Sequence, residues 1–250
     1  VVYKGGVNIK ASGTASASVT YKGEGWGQEK AIIEGTETIT TSWTQCASAA
    51  DCAGNPHWGN IYYTALPADM GSIFTQFFQN TNPLFISEDP NPADRLNFDR
   101  IEEFHSVPYT NVTPISVADS AVFTQADSSY WVGATIGLWV LGNVIEYREI
   151  TAYDPTNQRV TFSATNNPPH TDRDGYYAVF NHLGLIDEPG ELVMDKVSNR
   201  LYVWAVQAPA QGEFSAVRDG AGLFLLDKDF VTIEGFIIRR AGSTGSAPSI

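Results

Sequence analysis

The chain has 250 residues and a mass of 27.2 kDa, enough to bury about 70–75% of its unfolded surface on folding. Hydrophobic residues make up 43% and charged residues 17%, with 13 Phe, 11 Tyr and 6 Trp, a globular composition that excludes bulk disorder. Fifteen basic against 28 acidic residues leave a formal charge of −13, which disfavours nucleic acid or any other polyanion as a partner.

The chain opens on Val1 rather than Met, with no basic-then-apolar segment ahead of it; a processed leader or a start within a longer chain is expected. Val7 and Ile9, then Val19 and Tyr21, alternate with polar neighbours as a strand with one buried face does, and Ala11-Ser12-Gly13-Thr14 punctuates them as a turn. These pieces recur without hairpin turns between them, which suits successive rungs of a solenoid better than a meander. Ile32-Ile33-Glu34-Gly35 completes the series, and Thr232-Ile233-Glu234-Gly235 repeats its ending near the other end of the chain.

Cys46 and Cys52 are the only cysteines and flank a polar Ala/Ser/Asp loop. A disulfide there closes a small ring worth about 2.4 kcal/mol in the chain-entropy model and implies an extracellular setting. A two-thiolate metal site would find only His57 nearby, so no metal site is assigned. Helical spacing of apolar residues occurs at Met70–Phe78 and Pro92–Phe104 and predicts the only helices. The charge-free run from Tyr130 to Ile145 is shorter than the ~20 residues of a membrane-spanning helix. Beyond it, turns at Asp154-Pro155-Thr156-Asn157 and Asp195–Asn199 predict two hairpins, Glu146–Tyr153 with Arg159–Phe162 and Leu192–Met194 with Leu201–Trp204. Solenoid-like texture returns over Gly222–Arg239. The expectation is therefore an all-β chain in three parts: first rungs at 1–42, an antiparallel, β-sandwich-like module inserted at 43–215, and a resumed rung at 216–250. One large β-sandwich with a chance recurrence is the alternative.

Val7-Asn8-Ile9-Lys10-Ala11-Ser12-Gly13-Thr14, Val19-Thr20-Tyr21-Lys22 and Ala31-Ile32-Ile33-Glu34-Gly35 resemble an early rung of the secreted right-handed parallel β-helix proteins of the pectate-lyase-like superfamily. Trp131-Val132-Gly133-Ala134 with Trp139, Ile150-Thr151-Ala152-Tyr153-Asp154, Asn181-His182, Asp187-Glu188-Pro189-Gly190-Glu191 and Leu201-Tyr202-Val203-Trp204 resemble the β-rich insertion that many of them carry, and Val231-Thr232-Ile233-Glu234-Gly235-Phe236 resembles the resumed helix. The resemblance implies a secreted protein facing polysaccharide or another glycan, as a polysaccharide lyase or glycoside hydrolase, with calcium as the cofactor the family admits. Two visible rungs fall short of the three or so that stacking stability asks for, so further rungs or neighbouring copies of the chain are expected to cover open ends. The rival function is an extracellular structural or adhesive protein that stacks end to end into filaments.

Cleavage of a sugar polymer calls for an acid, a base or neutralising cation, and a groove. If Val231 and Ile233 point inward, Glu234 turns outward and, with Arg239 and Lys228, forms the candidate catalytic or polyuronate-binding trio; a solvated rung surface is the plainer account. Tyr130 and Trp131, after the polar Ser128-Ser129, are the candidate exposed sugar-stacking pair. The other tryptophans, among them Trp26, Trp43 and Trp58, divide between core and platform, with Trp139 and Trp204 assigned to the core of the insertion. His182 with Asp187, Glu188 and Glu191 reads as a packed histidine beside a carboxylate-capped turn. The acidic loops Glu88–Asp94 and Asp172–Gly175 offer oxygens to a hard cation but match no calcium-loop spacing, and turn chemistry is favoured for both. Asn111-Val112-Thr113 fits a glycosylation acceptor.

Overall fold

Strands account for nearly all the regular structure in the computed structural model, which describes residues 2–23, 30–67, 75–97, 101–218 and 222–241; helix among these is limited to single 3-10 turns such as Ala50–Cys52 and Leu183–Leu185. The chain is thus all-β, with parallel and antiparallel pairing both present. It divides into two units, Val1–Ser42 with Ala65–Leu84 and Pro209–Ile250, and Trp43–Thr64 with Phe85–Ala208.

In the first unit the parallel pairs among the described residues join strands near the start of the chain to strands near its end or to one another. Val2–Lys4, Ala31–Glu34 and Phe236–Arg239 form a parallel three-stranded sheet, Val7–Ile9 pairs with Leu223–Leu225, and Val19–Lys22 pairs with Val231–Glu234. Parallel partners cannot be joined by a tight hairpin, which is why no turn signal announced them. Backbones pass closely at the corners. A Cβ on Gly23 would lie 2.7 Å from the Gly235 carbonyl oxygen, and one on Gly35 2.6 Å from that of Arg240. Only glycine fits there without moving the neighbouring strand. The two Ile-Glu-Gly recurrences both end strands, but they stack on different partners, Ala31–Glu34 on Phe236–Arg239 and Val231–Glu234 on Val19–Lys22. Ile9 and Ile33 are buried inside this stack, whereas Phe224, Leu225, Leu226, Phe230, Ile237 and Ile238 are each at least 40% exposed. The same unit holds an antiparallel set in which Thr36–Thr38 pairs with Phe214–Val217 and the latter with Phe77–Gln79. Phe77, Phe214 and Val217, each about 1% exposed, anchor it.

The second unit has an antiparallel sheet built on Thr135–Val140, Val144–Asp154, Arg159–Phe162 and Gly175–Phe180. Ile136, Leu138, Val140, Ile150, Tyr177 and Val179 close one core together with Phe123 and Trp131. Phe104, Ala178 and Phe180 pack a second cluster. Both expected hairpins are present, Val144–Asp154 with Arg159–Phe162 and Glu191–Asp195 with Arg200–Trp204. Asp154 Oδ1 accepts the amides of Thr156 and Asn157, and Asp195 Oδ1 those of Val197 and Ser198, the side-chain-to-backbone bonding that makes Asp a turn former. Glu191–Leu192 also pairs in parallel with Phe85–Ile86.

The expected helices are corrected where they are described. Residues 68–74 lie outside the described residues, but Phe77 and Phe78 belong to the strand Phe77–Gln79, pairing with Leu84 and Ala216 through Phe77. Over Pro92–Phe104, residues 98–100 are outside. The rest forms a turn in which Asp94 Oδ1 accepts the Leu96 amide, followed by the 3-10 turn Ile101–Glu103. Leu96, counted in the apolar stripe, is 67% exposed.

Candidate functional site

Thr36–Thr38 is the outermost strand of its sheet, and period-two alternation leaves Thr36 buried while Glu37 faces solvent. Two adjoining clefts run along this edge. One, of about 330 Å³, is bounded by Lys4, Gly5, Gly35, Thr36 and Thr38; the other, of about 310 Å³, by Ile39, Thr40, Thr41, Leu66 and Pro67; Glu37, Thr38 and Arg218 line both. Arg218 Nη1 meets Glu37 Oε2 at 3.2 Å, with both side chains about half exposed. The Arg218 amide donates to the Gly35 carbonyl, and Lys4 Nζ donates to the Thr36 carbonyl at 3.3 Å. Hydroxyls, one carboxylate and two cations therefore line the groove, the donor and acceptor inventory that a polyhydroxylated ligand satisfies.

Beneath the groove wall lies Glu34, whose side chain is fully buried. It accepts from Thr36 Oγ1 at 2.9 Å, from Arg239 Nε at 2.8 Å, and from Arg240 Nε and Nη2 at 2.8 and 2.7 Å. Arg240 also donates to the Asn80 carbonyl and lies over the Phe78 ring. Burial alone would raise the Glu34 pKa, but the hydrogen bonds from Arg240, Thr36 and Arg239 outweigh it and hold it at about 2. Such a carboxylate stays ionised and serves as an anchor rather than a proton donor.

The sequence-derived trio does not assemble. Glu234 pairs with Lys22 at 2.9 Å on an exposed surface, Arg239 turns to Glu34, and Lys228 lies in the turn before Val231. Arg239 thus supports the groove wall instead of facing Glu234. The expectation that Tyr130 and Trp131 are exposed is corrected: Trp131 is 2% exposed and Tyr130 only partly open. Asp127 Oδ1 accepts the Ser129 amide and hydroxyl in a tight turn that delivers Trp131 edge-on to Phe123, with its Nε1 donating to Gln125 Oε1. His182 packs on both rings, its Nε2 donating to the Tyr130 carbonyl and its Nδ1 accepting the Gly184 amide. Burial lowers its pKa to about 4, so it is a neutral packing residue as read from the sequence. Trp204 is half-buried at the margin of its cluster, Trp139 is half-buried against His170, Tyr176 and Arg173, and Trp26 lies outside the described residues.

The acidic loop Glu88–Asp94 and the turn Asp187–Glu191 converge on the guanidinium of Arg95. Arg95 donates to Glu188 and, at 2.7 Å, to Glu191, with Glu88 at 3.4 Å, while Asn91 bonds Asp187. Glu191 Oε2 caps the amides of Asp187 and Glu188, which is the carboxylate-capped turn expected. The arginine fills the place a hard cation would take, so these residues do not fit calcium. In the second acidic loop Arg173, which separates Asp172 from Asp174 in sequence, lies over the Trp139 ring at 4.0 Å and donates to Asn143 Oδ1, and no metal-capable cluster of three or more His, Cys, Asp or Glu occurs among the described residues. Cys46 and Cys52 form the disulfide. Asn111 ends the surface turn Tyr109–Asn111. No helix among the described residues is long and apolar enough to cross a membrane.

Glu37, Arg218 and Lys4 were missed by sequence reasoning. The signal available was the threonine-rich run Thr36-Glu37-Thr38-Ile39-Thr40-Thr41, whose partner Arg218 comes from a distant segment. A solved structure of a glycoside hydrolase matches 96% of this chain with a TM-score of 0.61 at 13% identity, and the match spans 43% of that chain. At that identity the likeness is one of fold. No family model and no curated protein matches the sequence.

Proposed function

We propose that the chain is a secreted carbohydrate-binding or carbohydrate-cleaving protein of polysaccharide-lyase or glycoside-hydrolase type. On this reading its parallel strands are rungs of a right-handed parallel β-helix and the antiparallel segment 43–215 is an insertion into it. The observation that carries the reading is the hydroxyl-lined groove around Glu37 and Arg218, set on a fold that resembles that of a glycoside hydrolase. The disulfide is compatible with secretion. Hydrolysis by a carboxylate pair asks for two carboxyl groups flanking the bond; Glu37 is the one exposed carboxylate lining the groove among the described residues, so binding, or cleavage with Lys4 or Arg218 as the cationic partner, fits it better. Incubating the protein with a panel of neutral and acidic polysaccharides, and assaying binding, reducing ends and unsaturated ends, tests this. Binding to at least one polymer is expected. No binding and no products on any polymer would remove the carbohydrate reading.

A second reading is favoured by one observation: the exposed apolar side chains in and between the last parallel strands, Leu225, Leu226, Phe230 and Ile238 among them. Stacking of copies on that edge would bury them and build filaments. Sedimentation over a hundredfold concentration range separates the two, since a monomer throughout ends the filament reading.

A further inference from the structure

The groove is one edge strand long, yet it is two compartments, and the Glu37–Arg218 pair lines both. We infer that the groove holds a linear oligosaccharide with one sugar ring in each compartment and the linkage between the rings lying against Glu37 and Arg218. The inference rests on the carbohydrate reading above and deepens it by naming the minimal ligand.

Three features carry it. Each compartment, at about 330 and 310 Å³, is at the small end of ligand pockets and suits a single ring better than a chain. The boundary is an ion pair at 3.2 Å whose members are 44% and 58% exposed. Such a pair contributes little to stability, so its carboxylate and guanidinium can exchange each other for ligand hydroxyls at little cost. Together they present acceptors and a planar set of donors, complementary to the vicinal hydroxyls on either side of a glycosidic linkage. Finally, the two compartments differ. The Lys4 side carries a cation, its ammonium directed at the Thr36 carbonyl, while the Thr40 side adds exposed Ala65 and half-buried Pro67 as apolar surface for a ring face. Glu37 and Arg218 cancel in charge, which leaves Lys4 as the remaining charge of the lining, beside the threonine hydroxyls.

Titration calorimetry of the intact chain with length series of one to four sugar units, built on glucose, xylose and mannose, tests the inference. For the series that binds, the step from one unit to two is expected to tighten affinity about tenfold or more, with little further gain at three and four. Thr40→Trp, at an exposed position, is expected to fill the second compartment and return the disaccharide to monosaccharide affinity. Glu37→Gln is expected to weaken the disaccharide about tenfold. Equal affinity for one and two units, or a steady gain through four, would overturn the two-ring assignment even if polysaccharides bind. Absence of binding to every series and every polymer would remove the carbohydrate reading and this inference together.

Discussion

Replacing Glu34 by Gln tests whether the ion cluster beneath the groove stabilises the first unit. The carboxylate is fully buried and receives four hydrogen bonds, three of them from guanidinium groups. Its pKa falls from 4.5 to about 2, a difference equivalent to about 3 kcal/mol of preferential stabilisation of the ionised folded form. Because the folded pKa is depressed, that stability is present in full above about pH 5 and drains away as pH falls towards 2; by pH 3 more than half of it is gone. Glu34→Gln is therefore expected to lose about 3 kcal/mol at pH 7, with Arg240 left half-partnered, and the gap to the unsubstituted protein should close by about 2 kcal/mol at pH 3. Urea unfolding at both pH values, comparing midpoints at constant slope, reads it out. Glu234→Gln is the control, since its pair with Lys22 is about half exposed and should change stability by less than about 1 kcal/mol. A Glu34→Gln loss below about 1 kcal/mol at pH 7, or one unchanged at pH 3, would refute the anchoring role.

Glu191 carries the opposite sign. Burial raises its pKa to about 7 against the opposing hydrogen bonds from Asp187 and Arg95, so its ionisation opposes folding, and stability should fall by up to about 3 kcal/mol as pH rises from 4.5 through 7. Thermal melts between pH 5 and 8 should show that slope, and Glu191→Gln should flatten it. The double substitution Cys46→Ser with Cys52→Ser is expected to cost about 2.4 kcal/mol from the released ring, measured by urea unfolding against the oxidised protein. Trp131→Ala should cost about 3–5 kcal/mol, the range for deleting a buried tryptophan, whereas an exposed platform residue would cost a few tenths.

What was legible in the sequence was local. The turns at Asp154 and Asp195 were readable because the aspartate bonds amides two and three residues on. The Glu191 cap on Asp187 and Glu188 is equally short in range, and the disulfide spans only six positions. Trp131 misled because its polar neighbours suggested exposure, whereas those residues spend their polarity on a turn capped by Asp127 that aims the indole inward. The groove was illegible for a different reason. Nothing near Glu37 in sequence indicates Arg218, and nothing near Glu88 and Glu191 indicates that Arg95 will stand between them.

The two Ile-Glu-Gly segments show where local reading stops. Each is a strand that ends at a glycine, and periodicity predicts that much for both. Yet Glu34 is sealed between two arginines while Glu234 lies open beside Lys22. The difference comes from the register of the parallel partner: Glu34 is paired with Arg239 in the neighbouring strand and Glu234 with Lys22. Arg240, one residue beyond Arg239, then closes over Glu34 and ties it to Asn80, a link that Glu234 lacks among the described residues. Register across more than 200 residues thus decides which of two similar carboxylates becomes a buried anchor. The anchor, in turn, holds Thr36 and the strand that carries Glu37 into the groove.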